Sequence, residues 1–150
     1  MTIDYFENGG VDAIIEHLSK SEKGTDTAIL HLQCGDGRIA DALKNAGFAK
    51  YHGIDSSDDN IAAAKKRIKG YSRRFHVGEL FDADNFKKKH DVVLCLHGTP
   101  YEQTPSGTKM IVATSGVGNY EQTSTIVNRI LDDATTVQHE DVFITYGVRK

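Results

Sequence analysis

The sequence predicts a three-layer α/β sandwich built on a doubly wound, mostly parallel sheet of about six or seven strands. Two observations point there. Short apolar runs such as "TAILHLQ" and "DVVLCLHG" alternate with segments of helical periodicity, the pattern of parallel strands covered on both faces. The run Ile29 to Gln33 also stops at Gly35 and Gly37, and a helical pattern opens at once in "RIADALKNAG".

The elements follow in order. Val11, Ile14, Ile15 and Leu18 have the spacing of a first helix from Val11 to about Lys20. "TAILHLQ" is the first strand. Arg38 to Ala46 is a helix with Ile39, Ala42, Leu43 and Ala46 on one face, closed by Gly47. "KYHGID" is the second strand, after which Ser56, Ser57, Asp58 and Asp59 supply capping groups for a helix that ends in Lys65, Lys66, Arg67 and Lys69 before Gly70. "RFHVG" and "DVVLCLHG" are the third and fourth strands, and "KMIVATS" is the fifth. Tyr120 to Leu131 is a helix, and "TTVQHEDVFITYGV" is one long strand or a hairpin turning at His139 to Asp141.

Composition fits this scheme. A chain of 150 residues has material for one core, so one domain over 1–150 is expected. No apolar run approaches the ~20 residues that cross a bilayer, and Met1 to Gly10 has acids where a signal peptide has bases, so a cytoplasmic protein that does not engage a membrane is expected. Cys34 and Cys95 lack a paired spacing and read as buried thiols. The net charge of −3 offers no general attraction for nucleic acid, although two basic runs, 65–74 and 87–90, stand out.

In doubly wound sheets ligands bind beyond the carboxyl ends of the strands, and that rule selects the candidate residues. Gly35 and Gly37 let backbone approach a ligand, and the next helix aims its free N–H groups at the same place, which suits a phosphate or carboxylate. Asp55 ends the second strand 18 residues beyond Gly37, where a carboxylate accepts both hydroxyls of a ribose or, alternatively, caps a helix. Glu79 is a third acid on the same edge, with Leu80 beside it to cover a base.

"ILHLQCGDGRIADALKNAGF", "YHGIDSSDDNIAAAKKR", "FHVGELF" and "HDVVLCLHG" together resemble the successive motifs of class I S-adenosylmethionine-dependent methyltransferases, in register from about Val11 to Gly98. The closing "VFITYGVRK" is similar to that family's last strand. The resemblance implies a Rossmann-like sheet with an antiparallel C-terminal edge. It also implies S-adenosylmethionine as cofactor, leaving as S-adenosylhomocysteine. The turn of Cys34, Gly35, Asp36 and Gly37 would hold the methionine part, Asp55 the ribose, and Glu79 with Leu80 the adenine; Ser56 and Gln33 are further cofactor-binding candidates, Gln33 either bonding the methionine end or blocking it. Two positions depart from the family, which has an acid at His31 and a glycine at Gln33. The acid helps to position the cofactor's amino group, and an imidazole does not attract an ammonium.

Past the fourth strand, "LHGTPYEQTPSG" keeps Pro100 and Tyr101 of the family's amino-gripping motif. His97 and Tyr101 are the candidate catalytic residues, His97 as a general base for a hydroxyl or thiol acceptor or as a strand-end group flanking the cofactor. Only about ten residues separate strands four and five, where the family fits a helix. Tyr5 and Phe6 are candidates for a lid. The basic runs are expected at the edge opposite the ligand, as a solvated surface or a distal docking patch for nucleic acid. Seven histidines include His31, His52, His76 and His97 on four successive strands, without the short spacing of a metal site, so no metal is expected.

Three readings follow. The first is a methyltransferase with an unidentified acceptor. The second is a non-catalytic relative of the same fold that acts as a partner or regulatory protein. The third is a dinucleotide-binding oxidoreductase domain, because "GDGRIA" also satisfies G-x-G-x-x-G/A.

Overall fold

The computed structural model describes residues 9–22, 24–80, 82–96 and 100–150. His97, Tyr5 and Phe6 lie outside the described residues. The parallel strands are β1 (Ile29–Leu32), β2 (Tyr51–Asp55), β3 (Phe75–Val77), β4 (Val92–Cys95) and β5 (Lys109–Ser115). A hairpin of β6 (Leu131–His139) and β7 (Val142–Arg149) completes the chain. Among the described residues these strands form one seven-stranded sheet in the order β3-β2-β1-β4-β5-β7-β6. β7 runs antiparallel to β5, and Lys109 pairs with Val148. That topology separates the chain from the dinucleotide-binding fold, whose sixth strand continues a parallel order 3-2-1-4-5-6.

The α-helices are α1 (Gly10–Ser21), α2 (Arg38–Asn45), α3 (Asp58–Arg67) and α4 (Val117–Ile130). α3 starts where the sequence supplies a cap: the Ser57 hydroxyl accepts from the Asn60 N–H at 3.2 Å, with Asp58 and Asp59 in the first turn. The predicted helix at 120–131 is displaced. It begins at Val117, and Leu131 already pairs with Arg149, so β6 takes the stretch that starts at Leu131. The C-terminal segment is thus the hairpin alternative.

The two faces of the sheet are covered unequally. On one face α1, α2 and α3 bury Val11, Ile14, Leu18, Leu43, Ile61 and Ile68 against Ile29, Leu94, Ile111 and Ile144. Each such side chain contributes about 1.5–3 kcal/mol when fully removed from water. On the other face Leu30, Ile54, Val93, Met110 and Val112 meet Val127 and Ile130 of α4. The alternation of Ile29 with Leu30 and of Leu94 with Val93 is the period of two of a pleated strand. Here the described part of the β3–β4 connection offers only a 3₁₀ turn at Ala83–Phe86, and the described part of the β4–β5 connection has no helix. The second layer is therefore thin over β2 and β3. No helix among the described residues is long and apolar enough to cross a membrane.

Candidate functional site

The carboxyl ends of β1, β2 and β3 converge on one edge, and the turn after β1 is its centre. Gln33, Gly35 and Gly37 all stand at positive φ, +63°, +65° and +90°. Glycine adopts that conformation freely, whereas glutamine there is strained by about 1–2 kcal/mol, which accounts for the family's glycine at this position. A Cβ on Gly35 would meet nothing within 4 Å, so the turn presents open backbone at that point. Gly37 caps α2 and its hydrogen side lies against Ala64, where a Cβ would come within 3.0 Å of the Ala64 Cα. The first turn of α2 then directs its N–H groups outward at the edge.

Asp55 is buried and fastened to this turn. One carboxylate oxygen accepts from the Gly35 N–H at 2.9 Å and the other from the Ser57 N–H at 2.9 Å. The Cys34 N–H donates to the Ile54 carbonyl at 3.0 Å, which carries the β1–β2 pairing past the strand ends. Each oxygen keeps a further acceptor site. Ser56 is exposed beside it, and Glu79 is exposed with Leu80 half-buried at the end of β3. The Gly78 N–H donates to the Asp55 carbonyl at 3.1 Å, which ties the β3 turn to the same point. Asn85 holds this loop from behind: its side-chain amide donates to the Glu79 carbonyl at 2.9 Å and the Leu80 carbonyl at 3.2 Å.

The structure thus brings Gln33, Gly35, Asp36, Gly37, Asp55, Ser56, Glu79 and Leu80 to one edge. It turns Cys34 away. The Cys34 side chain is buried beneath the turn, where a Cβ on Gly53 would lie 2.9 Å from its sulfur. Burial first, then the Asp55 carboxylate, push its thiol up to about 12, so it is neither a nucleophile nor a ligand-facing group. Only its backbone belongs to the edge. His31 is fully buried on the α1–α3 side, its Nδ1 2.6 Å from the Tyr51 hydroxyl.

Two expectations need correction. Arg67, placed with its basic run at the far edge, instead reaches the glycine turn: its Nε donates to the Asp36 carbonyl at 3.2 Å, and its guanidinium lies 3.7 Å from the Asp36 carboxylate. The cause is the close seat of α3 on Gly37. Tyr101, expected to serve the acceptor, is buried in the second layer, stacked on Phe86 with ring centroids 4.9 Å apart, and its hydroxyl donates to the Gln103 side-chain oxygen at 3.0 Å. The next residue, Glu102, accepts through its carbonyl from Arg149 at 2.6 Å, and Arg149 bonds Thr108 just before β5 begins. The segment therefore descends the sheet face to the opposite edge and carries Tyr101 away from the ligand edge. Apolar packing took the ring, because the described part of the β4–β5 connection forms no helix and the ring joins the cluster beneath α4 instead.

Sequence reasoning missed Arg67 and Asn85. Arg67 sits in a basic run whose pattern is that of a solvated face, and the Asn85 contact depends on how the loop 78–85 folds back, which leaves no periodic signal. Among the described residues no group of histidine, cysteine, aspartate or glutamate side chains is arranged to hold a metal ion.

A glycine turn opening onto a helix, an acid at the end of β2, and an antiparallel seventh strand define a class I methyltransferase architecture. The methyltransferase domain family model matches residues 29–114, and the chain belongs to that family. It is a methyltransferase of the class that takes its methyl group from S-adenosylmethionine. No curated protein sequence matches it significantly. Among solved structures it is similar to the magnesium protoporphyrin IX methyltransferase of Synechocystis with bound S-adenosylmethionine, at 16% identity and TM-score 0.69, covering 96% of this chain and 80% of that one. It is similar to an RNA methyltransferase of Salinibacter ruber in complex with S-adenosylhomocysteine, at 21% identity and TM-score 0.66, covering 91% and 90%. An O-methyltransferase of Thermotoga maritima matches at 12% identity and TM-score 0.73, covering 99% and 67%. At these identities the likeness is one of fold.

Proposed function

We propose that the chain binds S-adenosylmethionine across the carboxyl ends of β1, β2 and β3 and transfers its methyl group to an acceptor held at the same edge. The observation that carries the residue map is the Asp55 carboxylate, fixed at the end of β2 by the Gly35 and Ser57 N–H groups with a further acceptor site on each oxygen for the hydroxyls of a ribose. The residues fit the group: the open Cβ side of Gly35 leaves room for the methionine part, and Glu79 and Leu80, steadied by Asn85, flank the position of the adenine.

The cofactor supplies a methyl already activated by a sulfonium, so the protein's task is alignment and exclusion of water. His31 is engaged with Tyr51, so the carbonyls of the 33–35 turn and the exposed Gln33 amide would hold the cofactor's ammonium in place of a carboxylate. His97 stands next after Leu96 at the end of the β4 segment in sequence, and its role as a base for a hydroxyl or thiol acceptor is part of this proposal. We place the chain in the cytoplasm as a soluble enzyme acting on an unidentified acceptor.

Calorimetric titration of S-adenosylmethionine and S-adenosylhomocysteine into the wild type and Asp55→Ala tests the map. Binding that falls at least about tenfold in the variant, the loss of a charge-assisted hydrogen bond or two, supports it. Binding indifferent to Asp55 overturns the residue map, and no binding at millimolar ligand overturns the function.

A further inference from the structure

The two basic runs of the sequence lead into histidines that both meet His52. Residues 60–78 contain six lysines and arginines and no acid, and this stretch leads into β3 at Phe75 and His76. The second run, Lys87–Lys89, leads directly into His90. Between them lies His52 of β2. Its ring is 4.6 Å from that of His76, edge to face, and 5.8 Å from that of His90, nearly parallel. Lys88 is close enough to the His52 ring to oppose its protonation. The three rings and Lys88 thus share the sheet face that the short β3–β4 connection leaves thinly covered, whereas Lys65, Lys66 and Arg67 belong to α3 on the opposite face.

A groove of about 510 Å³ continues this surface toward β5. It is lined by Lys87, Lys88, Lys89, His90, Thr108 and Lys109, among others. The acids nearby are engaged: Asp84 with Lys87 at 3.3 Å, Glu22 with Lys109 at 2.6 Å, and Asp91 with the Ala28 N–H at 2.8 Å. Lys88 and Lys89 are exposed and have no carboxylate partner among the described residues. The His52 Nε2 is buried with no hydrogen-bond partner among them. Burial first, then the neighbouring His76, His90 and Lys88, lower this ring's affinity for a proton, so at neutral pH it is a flat, uncharged ring with an unused polar atom.

Unpaired nucleic acid calls for this combination, cations that track phosphates and rings on which bases stack. The surface from β5 to β3 spans five neighbouring strands, roughly 19 Å, room for on the order of four nucleotides. We propose that the His52, His76 and His90 rings with Lys88 and Lys89 form a binding surface for single-stranded nucleic acid, on the side of the sheet away from the methyl-transfer edge. The net charge of −3 keeps nonspecific attraction low and confines binding to this quarter.

The test is fluorescence polarisation of a fluorescein-labelled oligouridylate of about 12 nucleotides, titrated with the full chain between about 50 and about 200 mM salt. The expected result is saturable binding whose log–log salt slope is near −3, about −0.7 for each of four phosphates. The double variant Lys88→Glu, Lys89→Glu weakens binding at least about tenfold, and His76→Ala weakens it about fivefold or more. Both variants are checked by circular dichroism and by unchanged cofactor affinity, which separates failure of this surface from failure of the cofactor site. His76 is exposed, so its truncation does not threaten the core. Absence of binding at about 100 μM protein in low salt, wild-type binding by the charge-reversed variant, or capture by vesicles of anionic phospholipid in place of the oligonucleotide overturns the proposal.

Discussion

The Nδ1 of His31 lies 2.6 Å from the hydroxyl of Tyr51, both side chains buried between the sheet and its helices. Tyr51 also meets the Cys34 thiol, and burial holds its phenol well above its usual range, so the phenol stays protonated. The position that the family gives to a carboxylate is therefore converted here into an internal link between β1 and β2. Tyr51→Phe removes that partner from a buried ring nitrogen. The expected cost is about 1–3 kcal/mol, a fall in Tm of roughly 3–10 °C by calorimetry. An unchanged Tm would show that the bond contributes nothing.

Gln33 stands at φ +63° with its side chain exposed. Gln33→Gly relieves the left-handed strain but loosens the unfolded chain, for a net gain of about 0.5–1 kcal/mol in urea denaturation. Gln33→Val, with a branched Cβ at the same φ, loses stability instead. The order glycine, glutamine, valine is the expected ranking, and any other order contradicts the strain.

Gly53 pairs with His31 across β1 and β2, and a Cβ there would fall 2.9 Å from the Cys34 sulfur and 3.0 Å from a ring carbon of Tyr51. Gly53→Ala is expected to cost about 1–3 kcal/mol by overpacking. Adding Cys34→Ala returns part of that loss, and a double-mutant cycle with a coupling of about 1 kcal/mol reads it directly.

Stability should also fall in mild acid. The His52 ring is lowered to about 4 by burial and then by the neighbouring His76, His90 and Lys88, against 6.5 for a free ring. The unfolded chain takes up a proton near 6.5 and the folded chain not until about 4, so the unfolded state binds more protons across that window and stability declines as pH drops through it. Solvent access to the half-buried ring limits the loss to about 2 kcal/mol or less. Burial lowers His90 as well, so His52→Gln flattens the dependence of Tm on pH between about 7 and 4 without abolishing it. An unaltered slope in the variant would place the proton uptake elsewhere.

The parallel order of β1 to β5, the glycine turn and Asp55 were legible in the chain because each rests on local rules: apolar period, positive φ at glycine, a capping run after a strand. The family followed from four such motifs in register. What the sequence could not determine was where long side chains and uncapped segments settle. Tyr101 reads as an edge residue and became core, because the described part of the β4–β5 connection forms no helix and its ring filled the space against Phe86. Arg67 reads as solvated and became a brace for Asp36, because Gly37 lets α3 approach within contact of the turn. His31 departs from the family's carboxylate and reads as a satisfied strand histidine, and only the adjacency of β1 and β2 supplied Tyr51 as its partner. Pairings across strands depend on register and on which face a side chain takes, and these are fixed by the whole sheet closing at once.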